Sequence, residues 1–570
     1  MSESAIASKA VTKLDSLYEF DREPVSQDKL CGGRYFAGIF AGEHVAATEF
    51  VIGALFVSWG ANVVDIIVGL LIGNLLAVLT WAFVCAPIAV QTRLTLYWYL
   101  RRIGGPVLSL IYNILNAVLF CILAGCMITV SASAVRIPFN IPAQTQLYPT
   151  DFRFVLVVLI VGAVVVTLAI LGFKKLANFA SICAPWMFLM FIAGAFAMLP
   201  LLGEATGVGP IRSFGQFWHM AQRAVWVGTR PDGSPALVGF WHVAAFAWIC
   251  NLAMHGGLSD MALFRYAKRS SYGFYSAFGM FLGHYLAWIC AGVMGAGAAM
   301  LLNTTLTSLD SGAVAYQALG MAGAIAVVIA GWTTSNPTLY RAGLALQAVT
   351  PNWPRWKVTL AAGTVTTIIA CFPFVFTKLL DFVGIYGLLL VPAGAIVFTE
   401  HWFFPRLGLT RYWASSKNLM LNWPALTAWM VAIAMAMYLW MSNTVHLFFL
   451  FIPVYVLTAI LYIVLARLAG AKQTVDRIKP QPSVTTPTPD YDSSTRPAKQ
   501  KTNTGFVVKF SGLTAILSLA ACVVLMLWVF MSDMADYPER LNEFKKWLIV
   551  PTLVYFVTAT AWQVLRSKKK

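Results

Sequence analysis

The stretch "GIFAGEHVAATEFVIGALF", residues 38–56, has the length and apolar character of a membrane span, yet Glu43, His44 and Glu49 lie near its middle. A charge at the centre of a bilayer costs about 3 kcal/mol or more, so two carboxyl groups and an imidazole there need a reason. On a regular helix Glu43 and Glu49 are about 600° apart, on different faces, and one solvated stripe cannot serve both. Unwinding between Gly42 and Thr48 is the cheaper solution. Freed carbonyls and side chains then line an internal polar pocket, where irregular backbone is tolerated in a membrane.

The whole chain supports a membrane setting. Of its 570 residues 59% are hydrophobic and 11% charged, and the mean hydropathy is +0.74. That excludes an ordinary soluble protein and reads as a polytopic membrane protein. The first 34 residues are polar and lack the compact apolar core of a cleavable signal peptide, so the first span is expected both to target the chain and to stay. The net charge of +17 is spread over short clusters between apolar runs, which argues for topology signals and against nucleic acid. Nine cysteines, eight of them inside apolar runs and none in a CxxC pair, read as small core fillers.

Apolar segments long enough to cross a roughly 30 Å core recur fourteen times, at about 35–58, 62–91, 105–135, 154–173, 176–202, 240–263, 273–302, 314–347, 358–376, 380–400, 423–441, 445–467, 506–531 and 547–565. Arg22, Lys29 and Arg34 precede span one; Arg93, Arg101 and Arg102 follow span two, Lys174 and Lys175 span four, and Arg265, Lys268 and Arg269 span six. Arg341, Arg355 and Lys357 are placed after span eight, Arg406, Arg411 and Lys417 after span ten, and Lys568 to Lys570 close the chain. One side collects nearly all of them, which predicts cytoplasmic N and C termini in an inner or plasma membrane. The stretch 203–239, with Arg212, Arg223 and Arg230, falls outside, and its amphipathic "FGQFWHMAQRAVW" suits the interface.

The expected division is therefore 1–34 as a cytoplasmic segment, 35–202 and 240–400 as two five-span repeats, 203–239 as an extracellular or interfacial loop, and 423–469 as two peripheral spans. Residues 470–505, rich in Pro, Ser, Thr and Lys, read as a disordered cytoplasmic linker. Two further spans occupy 506–570, joined by "SDMADYPERLNEFKK" and carrying no catalytic motif.

The anomaly of span one returns in span six as "WICNLAMHGGLSDMALF", residues 248–264, where Asn251, His255, paired glycines and Asp260 interrupt an apolar run. Two interrupted segments at matching places in two five-span halves point to an inverted-repeat secondary transporter with its site at the midplane; the symmetry rests on spacing, without a residue-level repeat. Span eight adds "VIAGWTTSNPTLYRAGLALQ", residues 328–347, whose Thr333 and Thr334 offer hydroxyl oxygens beside a helix disturbed by Pro337. Hard cations favour oxygen ligands, and carbonyls from an unwound span one with two hydroxyls from span eight would replace much of an ion's hydration shell.

"VDIIVGLLIGNLLAVL" (64–79), "GGLSDMALFRYAKRSS" (256–271), "WTTSNPTLYRAGLAL" (332–346) and "VPAGAIVFTEHWF" (391–403) together resemble the nucleobase:cation symporter-1 family, in its purine and cytosine permease branch, over roughly residues 30–465. The resemblance implies a LeuT-type fold, ten core helices in two inverted repeats plus peripheral helices, and symport of a nucleobase or related small heterocycle with Na⁺ or H⁺ by alternating access, without further cofactor. It implies a sodium site made by Thr333 and Thr334 with carbonyls at about Glu43, Ala47 and Ala330. It places substrate among spans one, three, six and eight, near Asn116, Leu119 and Phe120, Asn251 and His255, and Ser335 and Asn336. The chain departs from the family where a base-stacking aromatic is usual: Leu119 stands in span three and Asn251 in span six.

Glu43, His44 and Glu49 read as substrate contacts or carriers of a coupling proton, with Glu49 alternatively paired to a basic group. Asp260 reads as a salt-bridge partner of Arg265 or Lys268, and most Trp, Phe and Met as lipid-facing or interfacial packing, only Phe120 and Trp332 lying near the site. Two other classes stay in view: a membrane metalloenzyme, although "EHVAATE" matches neither HExxH nor HxxEH, and a sensor built on a transporter scaffold.

Overall fold

The computed structural model describes residues 19–20, 22–144, 146–306, 309–350, 353–377, 379–472 and 505–567, so most of the expected linker lies outside the described residues. The first half of the chain forms α1 (Gly33–Glu43) and α2 (Glu49–Ser58), α3 (Asp65–Thr92), α4 (Leu96–Val135), α5 (Phe152–Ile170) and α6 (Phe173–Ala205). After α7 (Phe214–Ala224) come three short pieces, α8 (Phe240–Ile249), α9 (Leu252–His255) and α10 (Met261–Phe264). Then follow α11 (Ser270–Leu301), α12 (Ser311–Leu319), α13 (Met321–Val349) and α14 (Arg355–Ala370). The chain continues with α15 (Gly384–Phe403), α16 (Trp423–Met441), α17 (Phe451–Leu468), α18 (Phe506–Phe530) and α19 (Tyr537–Arg566).

Ten of these helices are long and apolar enough to cross a membrane among the described residues. The other four expected spans miss that standard for physical reasons. Spans one and six are broken into short pieces, and span eight, α13, is long but studded with hydroxyls, an asparagine and an arginine. Span nine, α14, has only 16 residues. The outer faces are apolar, with Ile160 68% and Val557 70% exposed, as lipid contact requires and water would not favour. The chain is an integral membrane protein.

Helices meet where side chains are small, because without a hydrophobic drive between spans close packing does the work. Gly331 of α13 faces Ser131 of α4 so closely that a Cβ would stand 1.8 Å from the Ser131 oxygen, and Gly42 of α1 faces Ala180 of α6, with a Cβ 2.6 Å from the alanine methyl. The α5–α6 junction turns at Gly172, whose φ of +82° suits glycine. The last two helices dock on α6. The Trp186 indole donates to Thr552 Oγ1 (3.1 Å), the Tyr555 hydroxyl to the Ile182 carbonyl (2.7 Å) and the Tyr537 hydroxyl to the Ala197 carbonyl (2.9 Å).

One assignment of basic residues is corrected. Arg341, counted above as a loop cation after span eight, lies eight residues before the end of α13 and is fully buried. The helix runs on because Ala, Leu and Gln follow, all good helix formers.

Candidate functional site

The first break falls where its residues demand. Helix α1 ends at Glu43, His44 leaves helical geometry at φ −99° and ψ 5°, and α2 restarts at Glu49. The His44 ring closes the end of α1 by donating from Nδ1 to the Phe40 carbonyl at 2.9 Å. Room for the irregular backbone comes from α11, where Gly279 and Gly283 are spaced four apart: a Cβ on Gly283 would stand 2.2 Å from the His44 carbonyl oxygen, and one on Gly279 2.6 Å from His44 Nδ1. The second break separates α8, α9 and α10 at Asn251 and again from Gly256 to Asp260, with Leu258 in the left-handed region at φ +64°. For a branched side chain that conformation is unfavourable and persists only where surrounding structure imposes it.

A buried ion cluster ties both breaks to α13. Arg341 grips the Glu43 carboxylate with both terminal nitrogens, Nη2 at 3.0 Å, and its Nε donates to Asp260 Oδ1 at 2.9 Å. The other Asp260 oxygen accepts from the Trp81 indole at 2.6 Å. Asp260 therefore pairs with Arg341, in place of the expected Arg265 or Lys268. Arg265 instead donates to Tyr340 (3.1 Å) and to the Phe20 carbonyl. Trp81, fully buried, also sets its ring against His44 (centroids 5.6 Å) and His255 (4.9 Å), so it touches both breaks.

Among the described residues Glu49 finds no lysine or arginine. Its carboxylate accepts from the Trp288 indole and lies 3.6 Å from His284 Nε2, and His284 stacks on Trp288 at 4.5 Å. On α13 the Thr334 hydroxyl bridges two elements, lying 2.7 Å from the Glu43 carbonyl and 3.0 Å from the Ala330 carbonyl. Thr333 bonds to the Ile329 and Ala330 carbonyls of its own helix at 3.1 Å each and reaches the Met187 sulfur of α6 at 4.0 Å, but does not reach the first break.

Between the breaks lies a cavity with about 50 Å³ of water-accessible space, partly open at its mouth. Of the residues singled out from sequence, Glu43, His44, Glu49, Asn251 and Thr334 line it. The others sit behind its wall. Asn116 accepts from Ser259 (3.3 Å), Phe120 places its ring edge on Tyr386 (6.1 Å), and His255 donates from Nε2 to the Trp248 carbonyl (2.8 Å). Ser335 bonds back to the Gly331 carbonyl (2.7 Å), the common habit of such hydroxyls in membrane helices. Asn336, 1% exposed, is buried in α13, and Ala47 lies fully buried in the break without a hydrogen bond to the hydroxyl cluster.

Sequence reasoning missed Trp81, His284, Trp288, Tyr386 and Arg341. Two carried a usable signal: His284 and Arg341 are lone ionisable residues in apolar runs, the same anomaly that marked Glu43. The tryptophans did not, because being buried or lipid-facing looks identical in composition; Trp81 and Trp288 are both buried at the site, where the sequence reading admits only Phe120 and Trp332.

Two interrupted helices flanking a polar cavity, crossed by an unbroken helix that supplies hydroxyls, define an all-α LeuT-type bundle, and solved structures agree. The chain is similar to Mhp1, described as a nucleobase-cation-symport-1 family transporter in a closed conformation with bromovinylhydantoin bound. The two share 17% identity at a TM-score of 0.61, over 79% of this chain and 96% of that one. It is also similar to inward-facing Mhp1 (17% identity, TM-score 0.58, 79% and 93% covered). A third likeness is to a substrate-bound, outward-open Na⁺-coupled sialic acid symporter (13%, 0.56, 82% and 97%). At these identities the likeness establishes the fold. No protein-family model matches the sequence, and no curated protein matches it significantly.

Proposed function

We propose that the protein is a cation-coupled secondary active transporter, a symporter that carries a small nitrogen heterocycle through the cavity between the two breaks by alternating access. One observation carries the reading: the Thr334 hydroxyl spans from α13 to the Glu43 carbonyl at the end of α1. A cation bound there would join the Glu43 and Ala330 carbonyls to the two threonine hydroxyls, drawing the broken helix onto the unbroken one. Ion occupancy and cavity closure would then favour each other, which is what coupling requires. The negative end of α1 adds potential for a cation. Support for a heterocycle comes from the aromatic walls, Phe246 and Tyr386, and from the fold shared with Mhp1. Among the described residues no group of three or more His, Cys, Asp or Glu is arranged to hold a metal ion, so the geometry offers the metalloenzyme reading no support.

The test is uptake of labelled cytosine, uracil, hypoxanthine and hydantoin into proteoliposomes with and without a Na⁺ gradient. Thr334→Ala is expected to raise the Na⁺ concentration for half-stimulation about tenfold or more. Thr333→Ala, whose hydroxyl makes no bond to the first break, is expected to do less. Equal and negligible effects in both well-folded variants would remove this ion site, and binding without flux would favour a sensor.

A further inference from the structure

The cavity holds one acid that no lysine or arginine pairs with among the described residues. Glu43 and Asp260 share Arg341, but Glu49, in the first turn of α2 and 2% exposed, has as its partners, among the described residues, the Trp288 indole, the His284 imidazole and the Ala46 backbone N–H. Three polar atoms on cavity-lining residues have no hydrogen-bond partner among the described residues: His44 Nε2, His284 Nδ1 and Asn251 Nδ2. Their residues are all more than nine-tenths buried. An acid this deep in a low-dielectric site is held neutral by a proton or balanced by a positive partner, and a cationic solute entering the cavity would supply that partner in exchange for the proton.

The surroundings say which kind. Of the lining residues in the break and on α2, only Thr48 adds a side-chain oxygen to Glu49, whereas hard cations gather on the order of six oxygens. What the site offers in quantity is aromatic surface, from Phe246, Tyr386 and the His284 ring, and such faces attract organic cations. The free atoms also have defined polarity. Because His44 Nδ1 donates to the Phe40 carbonyl, its Nε2 is an acceptor, while Asn251 Nδ2 is a donor. Together they complement an amide-like donor–acceptor edge.

From this arrangement we infer that the transported solute is a monovalent organic cation: a flat, positively charged nitrogen heterocycle that sets its charge against Glu49 and a polar substituent against His44 and Asn251. The inference rests on the transport reading above and narrows its solute from heterocycles in general to cationic ones.

A matched pair of probes tests it, 1-methylnicotinamide, a permanent cation, and neutral nicotinamide, assayed in proteoliposomes beside cytosine and uracil. Uptake of the cation is expected to exceed that of its neutral partner by about tenfold or more. Glu49→Gln is expected to bring that ratio near one, while Glu49→Asp, which keeps the charge, retains most of it. Equal uptake of the two probes by the parent protein, or an unchanged ratio in Glu49→Gln, overturns the inference; if Glu49→Gln does not yield monodisperse protein, the parent's ratio decides alone. Uptake of uracil or cytosine without the cation sinks this inference and leaves the transport reading standing. If no compound crosses, the transport reading fails, and the same ratio measured as binding affinity decides the cation preference.

Discussion

Arg341→Gln is expected to abolish uptake and to cut sharply the yield of monodisperse protein. The guanidinium is fully buried and serves two carboxylates on two different broken helices. Removing it leaves Glu43 and Asp260 facing each other without compensation, and breaking a buried ion pair from one side typically costs about 3–5 kcal/mol. Much of that penalty comes from the stranded acids. The triple variant Arg341→Gln with Glu43→Gln and Asp260→Asn, which carries no charge in the cluster, is therefore expected to recover folding. It is not expected to recover transport, because the bidentate grip that fixes the end of α1 is gone. Arg341→Lys should fall between, since an ammonium supplies charge without the planar fork. Size-exclusion profiles and thermal unfolding of the three variants, read beside uptake, separate these effects. A single Arg341→Gln variant with parental stability and uptake would show that the cluster contributes neither.

Gly283→Ala is expected to be among the most damaging one-carbon changes in the bundle. Its new methyl would stand 2.2 Å from the His44 carbonyl oxygen and 2.6 Å from the His44 carbonyl carbon. Both are backbone atoms in the break, so no side-chain rotation relieves the clash and the break itself has to move. Overpacking of this kind commonly costs about 1–3 kcal/mol. The displacement also acts directly on cavity-lining residues, so uptake is expected to fall more than stability, by about tenfold or more. Gly295→Ala is a fair control. Its methyl would meet the far end of the Leu306 side chain at 2.6 Å, which can turn aside. If Gly283→Ala and Gly295→Ala behaved alike in uptake and unfolding temperature, the close seat of His44 on α11 would not matter.

Much of this architecture is written in local anomalies. Glu43, His44 and Glu49 mark the first break, and the run from Asn251 to Asp260 the second, because polar residues and paired glycines destabilise an apolar membrane helix unless its backbone opens around them. Thr334 is legible as an ion-site candidate, and the structure sets its hydroxyl against the Glu43 carbonyl. What stays hidden depends on helix rotation and on where a helix stops. Asn116, Ser335 and Asn336 lie on spans facing the site, but which side of a helix meets a cavity is decided by packing. Small rotations turn them into helix–helix contacts. Arg341 is misplaced because the charge count groups it with the loop cations Arg355 and Lys357, although it lies inside the expected span 314–347 and α13 continues to Val349. Its partners, 81 and 298 positions away in sequence, leave no local trace.

Trp81 joins His44, His255 and Asp260 through one rigid ring system on an otherwise continuous helix. An indole has no internal torsion with which to absorb a displacement, so shifting either interruption drags the ring and, through it, the other. A displacement at one rim of the crevice is therefore expected to be felt at the other through this shared indole.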